Sequence, residues 1–158
     1  MNVRDVMTTP AITVGPDASC KEIVRAFIAH DISGLPVVDG DGRLIGMVSE
    51  TDLVAEAAAG VERHQRSEAR RHTHSMVAAM PGNASPAPDD ARSSLQVWKT
   101  AGEMMTRNPP SATLDEGIDI AACRMLHARC DHLPVVRNGI VVGIVSRKDI
   151  IRAFDDNG

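Results

Sequence analysis

The sequence predicts an α/β fold made of two tandem copies of one small unit, each a short sheet packed by two helices. Three observations predict it. First, the chain overlays on itself. A shift of 98 residues puts Met7-Thr8 on Met105-Thr106, Asp17 on Asp115, and Leu35-Pro36-Val37-Val38 on Leu133-Pro134-Val135-Val136. With one residue fewer in the second turn the shift becomes 97, and Gly46, Val48-Ser49 and Asp52 fall on Gly143, Val145-Ser146 and Asp149. Matches in this order mark a tandem duplication, and two copies do not make a solenoid. Second, each copy carries apolar residues at helical spacing followed by a short apolar run. Third, each copy has a hairpin signal in the same place.

In the first copy, Ala11 to Val14 reads as a short extended piece, and Pro16-Asp17-Ala18-Ser19 as a helix start. Ile23, Val24, Phe27 and Ile28 then recur at helical spacing, which predicts an amphipathic helix that stops before Gly34. Leu35 to Val38 is an apolar strand, and Asp39-Gly40-Asp41-Gly42 is a hairpin turn, because glycine supplies the positive φ such turns need. Leu44 to Val48 returns, and Ser49 is placed to cap a second helix through Leu53, Val54 and the alanines to Ala59. In the second copy, Leu114-Asp115-Glu116 opens a helix through Ile118, Ala121, Ala122, Met125 and Leu126. Leu133 to Val136 and Ile140 to Val145 form a hairpin around Asn138-Gly139, and a last helix runs from about Arg147 to Phe154.

The copies occupy residues 1–60 and 99–158, and residues 61–98 link them. The linker first carries Arg63, Arg66, Arg70 and Arg71 among His64, His72 and His74, which reads as a solvated basic helix face. Met80 to Ser94 is rich in Pro, Ala, Ser, Asn and Asp, the composition of a flexible loop, and Trp98 is a packing anchor beyond it.

Composition narrows the function classes. Apolar residues make up 43% of the chain but aromatics only 2%, so the core is aliphatic and stacking platforms for nucleic-acid bases are missing. A formal net charge of −4 also argues against a nucleic-acid partner. Cys20, Cys123 and Cys130 are odd in number and form no Cys-x-x-Cys, which suits reduced thiols in a cytoplasmic protein. Neither a signal-peptide core nor a membrane-length apolar run is present, so a soluble protein without a membrane partner is expected.

The chemistry concentrates at two strand ends, Gly46-Met47-Val48-Ser49-Glu50-Thr51-Asp52 and Gly143-Ile144-Val145-Ser146-Arg147-Lys148-Asp149. A serine that ends a strand and starts a helix offers a hydroxyl, free first-turn N–H groups and a positive dipole end, which together suit an anion. An aspartate three residues on lies on the same side and can accept ribose hydroxyls. The alternative reading of Ser-x-x-Asp is a helix cap with no ligand, and duplication at matched positions favours the site.

This layout resembles a tandem pair of cystathionine β-synthase-type (CBS) domains. The resemblance rests on the doubled Met-Thr openings, the doubled Leu-Pro-Val-Val strands and the doubled Gly-x-Val-Ser-x-x-Asp ends. It implies that two CBS repeats form one CBS pair, a Bateman-type module, which often associates into homodimers and senses adenosine nucleotides in clefts between the repeats. Carried over residue by residue, it implies two clefts. One uses Ile144, Ser146, Lys148 and Asp149 with Ile12, Ile32 and Ser33, and Arg147 stands beside its anion position. The other uses Met47, Ser49, Thr51 and Asp52 with Pro110, Cys130 and Asp131. Arg147 and Lys148 favour phosphate in the first, whereas Glu50 and Asp131 repel it from the second, so nucleotide should prefer the Asp149 cleft.

The expected function is therefore regulatory: binding of AMP, ADP or ATP, passed on to a protein target not identifiable from the sequence. No cofactor is expected beyond the adenine nucleotide, with magnesium as an optional companion. The alternative is a structural or interaction module with empty clefts that contacts a partner through the linker. Enzyme chemistry is not expected, because no nucleophile–base pair, paired carboxylates or phosphate loop appears. His72-Thr-His74 lacks the further ligands of a metal site, and His30, His127 and His132 read as residues of helix ends and cleft edges without a catalytic partner.

Overall fold

A computed structural model of the protein describes residues 1–75 and 99–155, and of residues 63–75 the backbone alone. The flexible loop expected at Met80 to Ser94 and the anchor Trp98 lie outside the described residues, as do the side chains of His64, His72, His74 and the linker arginines.

Local sequence accounts for most elements. Helix α1 (Val3–Val6) opens with the Asn2 N–H donating to the Asp5 carboxylate, and α2 (Cys20–His30) on a capping box between Ser19 and Glu22, whose reciprocal bonds satisfy orphan first-turn donors. Strands β1 (Gly34–Val38) and β2 (Leu44–Ser49) pair antiparallel around a turn in which Gly42 takes φ +80° and the Asp39 carboxylate accepts from the Asp41 and Arg43 N–H groups. Helix α3 (Glu50–Ser75) follows, then α4 (Ala101–Met104), β3 (Thr106–Arg107), β4 (Ala112–Thr113), α5 (Ile118–Ala128), β5 (His132–Arg137), β6 (Ile140–Ser146) and α6 (Arg147–Asp155). Asn138 and Gly139 take φ of 53° and 82°, both positive as a two-residue hairpin turn requires.

Two expectations need correction. The second helix does not end at Ala59 but continues unbroken to Ser75. Gly60 alone costs about 1 kcal/mol in a helix interior, and the Glu, Arg, Gln and Ala residues around it favour helix. Helix α5 starts at Ile118 with Gly117 as its N-cap, later than Leu114-Asp115-Glu116 suggested. The Glu116 carboxylate instead pairs with Arg124 at 2.9 Å and accepts from the Thr113 N–H, which holds the preceding turn.

The two copies exchange their opening segments. Val3 is fully buried in the core of the second copy, with Met125, Leu133, Val135 and Val145. Its twin Ala101 is fully buried in the core of the first, with Ile23, Leu35, Val37 and Val48. The sheets follow suit. Strand β3, from the opening of the second copy, pairs with β2 of the first, and Thr8, from the opening of the first, bridges Ile144 of β6. The inner edges match too: β4 runs parallel to β5, and Val14 bridges Val37 in the same sense.

The doubled glycines explain the doubled methionines. A Cβ on Gly46 would collide with Met105 Sδ, and one on Gly143 would lie 2.7 Å from Met7 Sδ and 2.9 Å from the Thr8 carbonyl oxygen. Each methionine lies over the strand of the other copy, and only glycine leaves that space. The hairpin tips also meet: the Leu44 N–H donates to the Gly139 carbonyl at 3.1 Å, and the Val141 N–H to that of Gly42 at 3.1 Å.

Candidate functional site

Two cavities open where the repeats face each other, at the β2–α3 and β6–α6 junctions. The larger, about 470 Å³, is lined by Ile12, Ile32, Ser33, Ile144, Ser146, Arg147, Lys148 and Asp149, all eight residues assigned to the first cleft. The smaller, about 310 Å³, is lined by Met47, Ser49, Thr51, Asp52, Pro110, Cys130 and Asp131, all seven assigned to the second. Both volumes lie in the range of about 300–1,000 Å³ usual for small-molecule sites.

The serine–aspartate pairs form caps. The Asp149 carboxylate accepts from the Ser146 N–H at 2.8 Å and from its hydroxyl at 2.7 Å, while the Asp149 N–H donates to Ser146 Oγ at 3.3 Å. Asp52 accepts from the Ser49 N–H at 2.7 Å and from its hydroxyl at 2.9 Å. Both hydroxyl protons are thus directed at the aspartates, not at an incoming anion. Each aspartate uses Oδ2 in its cap, so Oδ1 remains as the acceptor for a ligand hydroxyl.

The charges differ between the cavities. In the larger, Arg147, Lys148 and Arg152 stand against Asp31, Asp131 and Asp149. In the smaller, Glu50, Asp52 and Asp131 stand against Arg129. Asp131 reaches Arg147 at 2.9 Å, so that arginine is not a free cation as the sequence alone suggested. Lys148 and Arg152 are one helical turn apart on α6 and form no ion pair among the described residues. The i, i+4 spacing from Lys148 was the available signal for Arg152, the cation that sequence reasoning missed.

Three residues line both cavities: Ser33, Asp131 and His132. Ser33 and Asp131 are twins in the duplication, as are Gly34 and His132, and the members of the second pair touch where the copies face each other. A Cβ on Gly34 would lie 2.7 Å from the His132 ring, and His132 Nε2 is 2.9 Å from Ser33 Oγ. Burial pushes the His132 pKa below its ordinary value, against the opposite pull of Asp131, Asp149 and Glu50. Burial raises the Cys130 pKa, so its sulfur stays a neutral thiol at the smaller cavity.

His30 also lines the larger cavity, as do Thr8 and Pro10, and Thr106 and Pro109 line the smaller. The opening segments enter the cavities because they cross to the opposite copy, a long-range fact with no local signal. His127 lines neither cavity.

Comparison with known proteins agrees with this architecture. The chain is 28% identical to the CBS domain pair of protein MJ0100, solved with 5′-methylthioadenosine and S-adenosyl-L-methionine, with a TM-score of 0.73 over 100% of this chain and 98% of that one. It shares its fold, at 24% identity and a TM-score of 0.69, with CBSX2 solved with AMP, over 99% of this chain and 97% of that one. Among curated proteins of Methanocaldococcus jannaschii, it is 29% identical to an L-aspartate semialdehyde sulfurtransferase over 96% of this chain, yet spans only 23% of that protein. It is also 29% identical to an uncharacterised protein, MJ1426, over 98% of this chain and 91% of that one. No described helix is long and apolar enough to cross a membrane. The family model of the CBS domain matches residues 3–59 and 101–156, the two copies found in the sequence, and the chain therefore belongs to the CBS domain family as a CBS pair.

Proposed function

We propose that the protein is a regulatory module that binds an adenosine nucleotide, AMP, ADP or ATP, in the larger cavity. One observation carries this reading. Aliphatic walls from Ile12, Ile32 and Ile144, the Asp149 carboxylate, and the cations Arg147, Lys148 and Arg152 line a single cavity. Those surfaces match an adenine, a ribose and a phosphate arm in turn. The adenosine-containing ligands in the MJ0100 pair support adenosine as the common part. The smaller cavity, with its excess of carboxylates, holds anionic ligands more weakly.

Binding acts by shifting the relative placement of the repeats, a change read by a protein target or by a second copy of the chain. A homodimer is supported by the exposed apolar residues. Ile28 and Val54 are 78% and 68% exposed, and their twins Leu126 and Ile151 are 69% and 67% exposed. The same apolar pair on each repeat suits an isologous contact. Light scattering on wild type and on the Leu126→Glu/Ile151→Glu variant checks it: the variant should run as a monomer.

The direct test is a thermal-shift panel of AMP, ADP, ATP, adenosine and S-adenosyl-L-methionine, with and without magnesium. A nucleotide at a hundred times its Kd should raise the midpoint by about 5–10 °C. A flat response to every phosphorylated member overturns the reading.

A further inference from the structure

The wall between the cavities is made by Ser33, Asp131 and His132, which line both. Within it, one carboxylate faces two sites at once. Asp131 pairs with Arg147 of the larger cavity at 2.9 Å, and the Arg147 N–H donates to the Asp131 carbonyl at 3.0 Å, so the backbone keeps the two residues in register. The Arg147 and Asp131 side chains are 49% and 65% exposed, respectively. An ion pair that open to water holds weakly, and a phosphate in the larger cavity competes for the arginine.

We propose that Asp131 couples the two cavities. A phosphate that takes Arg147 leaves Asp131 without its cation. The carboxylate then adds its charge to the smaller cavity, which already holds Glu50 and Asp52. Anionic ligands therefore bind the pair of cavities with negative cooperativity, and by linkage each site weakens the other by the same factor. The coupling rests on the nucleotide reading of the larger cavity.

Calorimetric titration of the full chain with AMP tests it. The Asp149→Ala variant reports the smaller cavity with the larger one empty, and the second step in wild type reports it with the larger one filled. The empty-neighbour affinity should be about threefold the tighter, the scale of an exposed ion pair. In Asp131→Asn, and in Asp131→Ser, which copies the twin residue Ser33, the same comparison should give a ratio near one. Thermal unfolding of each variant verifies that it is folded. Equal affinities in wild type, a threefold ratio that persists without Asp131, or one AMP per chain in every variant would overturn the coupling alone. No saturable AMP binding at all would overturn the nucleotide reading and the coupling with it.

Discussion

The two cavities are twins in origin but differ in charge: three cations balance three carboxylates in the larger, and three carboxylates face one cation in the smaller. Each is built at the end of a Gly-x-Val-Ser-x-x-Asp strand, and each aspartate accepts both donors of its serine. The shared residues are those that make the helix start. The residues that differ, Glu50-Thr51 against Arg147-Lys148, line the cavities and make the smaller one the more acidic. Duplication thus preserved the cap, which the fold needs in both copies, while the variable pair between serine and aspartate was free to diverge.

The comparison breaks most decisively under a charge swap. The Arg147→Glu/Lys148→Thr variant gives the larger cavity the sequence of its twin. Loss of two charge-assisted contacts should lower its AMP affinity by about 100-fold, measured by titration. An unchanged affinity would mean that the phosphate arm lies elsewhere.

The next effect sharpens the meeting of the twins Gly34 and His132. Gly34→Ala drives a Cβ into the His132 ring and should destabilise the protein by about 1–3 kcal/mol in denaturant unfolding. In the Gly34→Ala/His132→Ala double variant part of that loss should return, because the opposing ring is gone while Met47 Cε, also 2.7 Å from the added Cβ, remains. If the two losses add, glycine is not there to make room for the ring.

Smaller still is the cap. Asp149→Ala and Asp52→Ala should each lower stability by about 0.5–2 kcal/mol without any ligand, and by similar amounts, since both carboxylates make the same cap. Only Asp149→Ala should also remove the nucleotide-dependent rise in midpoint. Equal loss of that rise in both variants would erase the asymmetry between the cavities.

The smallest effect is in pH. The folded pKa of His132 lies below its ordinary value of 6.5, so near that pH the unfolded chain binds the extra proton. The stability tied to neutral His132 is present above pH 6.5 and is lost as pH falls toward the folded pKa. Wild type should therefore lose more midpoint between pH 7.5 and 5.5 than His132→Gln, and identical slopes would show that the ring titrates as it does in water.

The elements that were legible in the chain are those written locally. The helix start at Pro16 to Ser19, the Asn138-Gly139 turn and the Leu-Pro-Val-Val strands each carry their own signal within a few residues. Of the candidate site residues, Ser49 and Ser146, and Asp52 and Asp149, were paired by the duplication, and the residues facing them were implied by the resemblance to CBS pairs. Helix α3 ran past its expected end because the helix formers beyond Gly60 outweigh that one glycine, and α1 and α4 were missed because four-residue helices leave almost no periodicity.

The sequence by itself determined the repeat, the helix caps, the turns and the residue types that surround each strand end. Those follow from near-neighbour chemistry: φ preferences, side-chain caps and apolar spacing. The tertiary structure alone decided that the opening segments cross, that Met7 lies over Gly143 and Met105 over Gly46, and that Asp131 reaches Arg147 and so serves both cavities. Those are contacts between residues far apart in the chain, selected by which surfaces fit once the sheets have formed. A pattern of residues can show that two strand ends are alike, but only their packing shows that they share a wall.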